Sequence, residues 1–376
     1  MFADNWKISL RQISRIMILD LFGLSSLVLP RIVADMTGAD GIVCFLLGMG
    51  GGILLLGVIQ GNVRYMEGSY YQYLKKTMGQ ILSDVFMVFY LLYFIILAGY
   101  VLYQLDILIL SWLLPKGNYW MVEVLLLLLA AYGTFRGIEG RVRIYEILFW
   151  FLGIPLLIML IFATGSVDTD IWTPVFYTNG RGYMEHSITV WSYLLPLSGL
   201  LFLKEFAQKP ERLVKSGKIA VITVTILNVV IYLILIGNFG QKTVQVLKHP
   251  VITLMGMVDL PGGFFTRQDV TMTAIWFFAL FALLHTGVFQ GTLIMKQLCN
   301  EKKSNYSMWV ALIFIFFIAD SFIKNGFMED IFKAYQERIA LPGMLVILII
   351  VPLVYQVRRI MKKPEGEKTT WENQSK

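Results

Sequence analysis

Cysteine, histidine and charge are all scarce in this chain. Only two of its 376 residues are cysteine and three are histidine, too few cysteines for a disulfide framework and with no Cys/His metal spacing among them. Cys44 and Cys299 fall in apolar segments whose expected topology puts them near opposite membrane faces, farther apart than a disulfide can span. His186, His249 and His285 are isolated from one another, and no glycine loop that could cradle a phosphate runs into a lysine. The string Gly48-Met-Gly-Gly-Gly52 sits inside an apolar run, which removes its nucleotide meaning. No enzymatic activity, cofactor or metal is therefore expected. Charged residues make up only 15% of the chain, too few to clothe a soluble domain of this size.

What is present is apolar: 57% hydrophobic residues, 14% aromatic, and a mean hydropathy of +0.68. The chain reads as an all-α integral membrane protein. With roughly 20 apolar residues needed per crossing, about ten transmembrane helices are expected, at 13–31, 40–60, 83–113, 119–135, 142–164, 187–203, 217–239, 270–298, 309–325 and 338–357. The first run lacks a small-residue cleavage site and is expected to stay as a helix instead of being removed. Lys and Arg crowd the N-terminal segment, alternate loops and the tail from Arg358. The positive-inside rule then makes both termini cytoplasmic. This alternation, not a single basic patch, accounts for the net charge of +7 and argues against nucleic acid.

Two segments are interrupted alike, five crossings apart: Gly23-Leu-Ser25-Ser26 with Pro30, and Tyr193-Leu-Leu-Pro196-Leu-Ser198-Gly199. Unpaired backbone in lipid costs several kcal/mol, so a broken helix needs protein or a wet cavity around it. Matched interruptions in two halves point to a transporter-type site. Five plus five crossings is also the count for an inverted repeat, here about 8–164 and about 187–357, with residues 358–376 as a tail and the whole chain as one transmembrane domain. Helices 1 and 6 are expected to be broken. Their freed amides and carbonyls would suit the two ends of an amino acid.

Candidate ligand-binding residues are Gly23, Ser25 and Ser26 on the first helix, Tyr193, Pro196, Ser198 and Gly199 on the sixth, and Tyr100 from a polar stripe of Tyr93, Tyr100 and Gln104 on the third. Asp20 and His285 are candidate ion or substrate contacts. The alternatives are a helix kink serving packing for the breaks, pairing with Arg15 for Asp20, and an ordinary hydrogen-bonded structural role for His285. Asp106, near the outer interface, reads as a structural ion pair or a snorkelling side chain. The second-span glycines, including Gly48/Gly52 and Gly57/Gly61, read as close packing against a neighbouring helix. The loop 242–263 is expected to form short helices over the outer mouth, either as a cover or as interfacial packing.

Several short motifs carry a family resemblance along essentially the whole chain. They are Ile8-Ser-Leu-Arg-Gln12, Leu29-Pro30, Trp172-Thr-Pro174, Lys209-Pro210, and Thr266-Arg267-Gln-Asp269 leading into Ile275-Trp276. In order and spacing they resemble the B subunit of spore germinant receptors. The resemblance implies the amino acid-polyamine-organocation superfamily and a leucine-transporter-like fold. It also implies location in the spore inner membrane, a nutrient ligand such as an amino acid, and partnership with an A-type membrane subunit and a C-type lipoprotein. An amino-acid transporter working by alternating access is the alternative. Where the family pattern has a Gly-rich break, this chain has Leu24-Ser25-Ser26. Proton-coupled carriers of the superfamily hold a lysine in the fifth helix; the fifth span here has Glu146 and no lysine, which counts against proton coupling.

Overall fold

The computed structural model describes residues 7–114, 116–173, 176–258, 268–301, 305–324 and 328–361. Fourteen helices follow one another among the described residues: α1 Leu10–Thr37, α2 Gly41–Tyr65, α3 Tyr70–Met78, α4 Gln80–Leu108, α5 Tyr119–Phe135, α6 Gly137–Ala163, α7 Gly180–Ser192, α8 Leu200–Leu203, α9 Leu213–Val246, α10 Pro250–Met257, α11 Gln268–Leu298, α12 Tyr306–Lys324, α13 Met328–Tyr335 and α14 Leu341–Met361. Among the described residues nine helical stretches are long and apolar enough to cross a membrane, and α5 is a shorter apolar helix. Together they match the ten expected crossings, with α7 and α8 forming the sixth. The tail from Lys362, the Pro174 and Thr266-Arg267 parts of the motifs, and Pro261 lie outside the described residues.

Packing between the crossings has a two-fold pattern. The first helix lies along the seventh (α1 with α9) and the second along the sixth (α2 with α7). The third packs on the eighth (α4 with α11), the fourth on the eighth (α5 with α11), and the third on the ninth (α4 with α12). Shifting every helix number by five turns the first pair into the second, the fourth–eighth pair into the ninth–third, and returns the third–eighth pair to itself. A repeat of five helices predicts this exchange. Glycines carry part of it: a Cβ on Gly48, Gly51 or Gly52 of α2 would strike Val190, Trp191 or Leu194 of the sixth crossing. Gly57 has nothing within 4 Å and Gly61 meets only Pro352 at 4.0 Å, so this pair plays no part in the contact with the sixth crossing.

The central helices are enclosed by protein. In the most apolar window of α1, 89% of residues are buried, against 28% in α6. A helix wrapped in this way must satisfy its polar groups internally. The capping box of Ser9 and Gln12 starts α1. From there α1 runs unbroken through Pro30, so the expected break at Gly23–Ser26 is absent. Both serine hydroxyls instead bond back to the Phe22 carbonyl, at 3.4 Å from Ser25 and 2.7 Å from Ser26. Gly23 lets the backbone of α11 approach; a Cβ there would lie 2.8 Å from the Ala279 carbonyl carbon. Gly, Ser and Pro serve close helix contact here, not unwinding.

The sixth crossing does break. Its α-helical part ends at Ser192, Tyr193 and Leu194 turn, and Leu195–Gly199 form a tighter 3₁₀ segment before α8. Pro196 lacks an N–H and disfavours α geometry at Leu195 before it.

Of the loop 242–263, α10 is visible as a short helix whose Val251, Ile252, Leu254 and Met255 are buried. Just before it, burial, with Lys248 and Arg31 nearby, pushes the His249 imidazole down to about 4. The unfolded chain therefore binds more protons than the folded one between about pH 6.5 and 4. Stability is complete above pH 6.5 and falls with pH to about 4, by ~3 kcal/mol in total. Melting temperatures of the detergent-purified chain at pH 7 and pH 4.5 check this: wild type should drop several degrees further than His249→Gln.

Candidate functional site

The candidate residues separate into three groups. The first surrounds Asp20 of α1, which is buried beside Arg141 of α6, with Oδ2 3.3 Å from the guanidinium and neither side chain exposed. The Thr286 hydroxyl of α11 donates to Asp20 Oδ1 at 2.6 Å, and the same guanidinium nitrogen also reaches Thr286. The Arg141 guanidinium lies 5.0 Å from the Tyr145 ring centre and 5.2 Å from that of Phe289. His285, one residue from Thr286, is buried with its ring 6.2 Å from Tyr145 and its Nε2 without a hydrogen-bond partner among the described residues. The first, fifth and eighth crossings thus meet at one ion pair.

This group corrects two expectations. Arg15 does not pair with Asp20; it binds Glu146 at 2.9 Å and leaves Asp20 to Arg141. The fifth crossing starts at Gly137, not 142, so it contains a buried cation after all, an arginine rather than a lysine. The sequence hides Arg141 because residues 136–141 look like a basic loop. In the fold Arg136 alone links α5 to α6, with Gly137 at φ 68° making the turn, and Arg141 ends up one turn inside the helix.

The second group lies where α13 meets the third and sixth crossings. The Tyr100 ring stacks on Phe332 of α13 with centroids 3.7 Å apart, and its hydroxyl accepts from Gln104 at 2.7 Å. Tyr193, from the turn in the sixth crossing, sets its ring edge-on to the same Phe332 at 6.3 Å. Arg31 of α1 bonds Glu329 of α13 at 3.1 Å, fastening this helix over the rings. Phe332 had no sequence signal, because α13 reads only as a polar stretch before the last crossing.

The third group is the break itself. Leu195–Gly199 packs directly on α1. Pro196, Ser198 and Gly199 are fully enclosed, and the Ser198 hydroxyl has no hydrogen-bond partner among the described residues. At the next residue, Gln290 Nε2 of α11 donates to the Gly199 carbonyl at 3.4 Å, while Gln290 Oε1 has no hydrogen-bond partner among the described residues. A Cβ on Gly199 would lie 3.2 Å from this amide and 3.7 Å from Phe94. Ser25 and Ser26, by contrast, are engaged elsewhere. Ser25 accepts from Asn228 of α9 at 2.9 Å and Ser26 from Trp276 of α11 at 3.0 Å. Gly23 faces Ala279, as described above.

The basic side of the molecule is also latched. Ile8 pairs with Ala207 as a single parallel bridge, with Ile8 N donating to Phe206 O at 2.7 Å and Gln208 N to Ile8 O at 3.0 Å. Asp106 corrects the remaining expectation. It is buried against Glu123 of α5, the two carboxyl groups within hydrogen-bonding reach of each other, so it faces a second acid and not a cation.

Comparison with known proteins agrees with this architecture. A family model described as spore germination protein matches residues 7–328. The chain is 25% identical over 342 residues to spore germination protein YndE of Bacillus subtilis (strain 168), covering 88% of this chain and 91% of that protein. It is 26% identical over 392 residues to spore germination protein KB of the same organism, covering 99% and 100%. Among solved structures, the substrate-bound outward-open state of a Na+-coupled sialic acid symporter superposes with a TM-score of 0.65 at 14% identity, covering 87% of this chain and 77% of that one. The likeness supports the leucine-transporter-like fold. Matched across most of its length, the chain belongs to the spore germination protein family.

Proposed function

We propose that this protein is the nutrient-binding membrane subunit of a spore germinant receptor, with an amino acid as ligand and the broken sixth helix as its site. The observation that carries the reading is the Ser198 hydroxyl. It is fully buried at a helix break, faces no protein partner among the described residues, and lies in the same break as a Gly199 carbonyl contacted by Gln290. Buried polar groups in native proteins are almost always paired, so an unpaired one at a break marks a place for a polar ligand. A ligand carboxylate or ammonium would be held there by backbone groups of Leu195–Gly199 and by the Gln290 amide.

Access from the outer side requires Phe332 to leave Tyr100 and Tyr193, and the Arg31–Glu329 pair to part. Access from the basic side requires the Ile8–Ala207 latch to open. Ligand binding acts by favouring one of these arrangements over the other, in proportion to its difference in affinity between them. The change passes to an A-type membrane subunit and a C-type lipoprotein in the spore inner membrane, with both termini cytoplasmic and the repeats at 8–164 and 187–357 moving against each other. The protein performs no chemical reaction on the ligand.

The test is a germination dose-response for Ser198→Val and Gly199→Ala with receptor assembly checked in parallel. Each should raise the half-maximal nutrient concentration about tenfold or more while the complex still assembles. Ser25→Ala, which loses the bonds to Asn228 and Phe22 but leaves the break intact, should shift it far less. Unchanged half-maximal concentrations for both break variants would end this reading. A carrier is the second reading, favoured by the symporter fold; uptake of labelled amino acid into liposomes by the isolated chain would establish it.

A further inference from the structure

Two concavities meet on the flank of α1 where it faces α6 and α9. One, of about 400 Å³, is ringed by Arg11 and Arg15 of α1, Arg212 just before α9, and Lys215. The other, of about 300 Å³, is walled by apolar side chains such as Leu19, Phe22, Trp150 and Leu157. Ile18 and Phe149 line both, so the two adjoin along α1 and are treated as one groove.

We propose that this groove binds an anionic phospholipid, with its phosphate among the four cations and one acyl chain in the apolar part. Glu146 engages Arg15 at 2.9 Å and Arg11 at 4.0 Å, so one carboxylate stands against four cations and a net excess of positive charge remains. Arg15 also lies 5.4 and 5.5 Å from the ring centres of Phe149 and Trp150. Aromatic rings beside arginine are the side chains that favour headgroup level.

Depth fits a lipid and not a free anion. From Phe149 to Leu157, α6 rises about 12 Å, most of the ~15 Å hydrocarbon depth of one leaflet. Trp150, Ile154 and Leu157 are more than half exposed along it, which in a membrane means exposed to lipid. A phosphate alone has no use for this extension. Basic pockets between membrane helices recognise anionic headgroups in the same manner. The groove runs along α1, so an occupant braces the helix that carries Asp20.

Native mass spectrometry of the full purified chain tests the assignment, with phosphatidylglycerol, phosphatidylcholine of the same acyl chains, and inorganic phosphate as separate additions. Phosphatidylglycerol should be retained about tenfold over phosphatidylcholine. The double variant Arg212→Gln/Lys215→Gln should lose most of that preference, since each surface cation contributes roughly fivefold. Gly153→Phe should abolish retention by filling the apolar part, where a Cβ meets nothing within 4 Å. Both variants should melt like wild type in lipid-free detergent. Equal retention of the two lipids, or wild-type retention by both variants, would overturn the proposal. Displacement of phosphatidylglycerol by phosphate together with full retention in Gly153→Phe would reassign the site to a bare anion.

Discussion

Arg141→Ala is expected to destabilise the protein by about 3–5 kcal/mol, the usual consequence of removing one partner from a buried ion pair. The loss exceeds that of the contact itself, because Asp20 would remain buried with only the Thr286 hydroxyl to support its charge. Arg141→Lys should recover only part of it, since one guanidinium nitrogen reaches both Asp20 and Thr286 and an ammonium is a differently shaped donor. Asp20→Asn combined with Arg141→Gln removes both charges and should be markedly more stable than Arg141→Ala. Thermal unfolding of the four proteins in detergent measures the pattern. A wild-type melting temperature for Arg141→Ala would mean that the pair contributes nothing to holding the first, fifth and eighth crossings together.

Gly23→Leu should be nearly as damaging, while an equivalent change at another glycine should be harmless. At Gly23 even a methyl group would sit 2.8 Å from the Ala279 carbonyl carbon, 2.9 Å from its oxygen and 3.0 Å from Leu280 N. These are backbone atoms of α11 and cannot swing aside, so α1 and α11 must separate. Overpacking of this kind costs about 1–3 kcal/mol for a small addition and more for a large one. Gly57→Ala in α2, where nothing lies within 4 Å, should gain up to about 1 kcal/mol from helix propensity. Melting temperatures that move in the same direction for both changes would show that the crossing of α1 and α11 tolerates widening.

The contrast between these glycines shows what a sequence reading can reach. Gly23-Leu-Ser25-Ser26 and Leu195-Pro196-Leu-Ser198-Gly199 look like one device used twice, yet only the second interrupts its helix. Pro196 decides the difference locally by withholding an amide within a turn of Ser192. In α1, Pro30 is passed without a break, and the glycine and serines are used by neighbours: Ala279, Asn228 and Trp276. Small and hydroxylated residues suit both close contact and unwinding, so their type alone does not distinguish the two.

Arg141 and Phe332 illustrate the other limit. Arg141 carries a charge that topology rules assign to a loop, and only the one-residue turn at Arg136 draws it into the membrane beside Asp20. Phe332 lies in a short polar helix whose meaning depends on where Tyr100 and Tyr193 are in space.

The sequence by itself determined the crossings, the order of ten apolar helices and the sixth-helix break, because hydropathy, helix length and proline chemistry act over one turn or one span. The tertiary structure decided that α1 stays whole, that Asp20 pairs with Arg141, and that Phe332 covers the rings of Tyr100 and Tyr193. Those outcomes depend on which side chains from distant segments share a few ångströms of a buried, low-dielectric interior, and spacing along the chain carries no record of that.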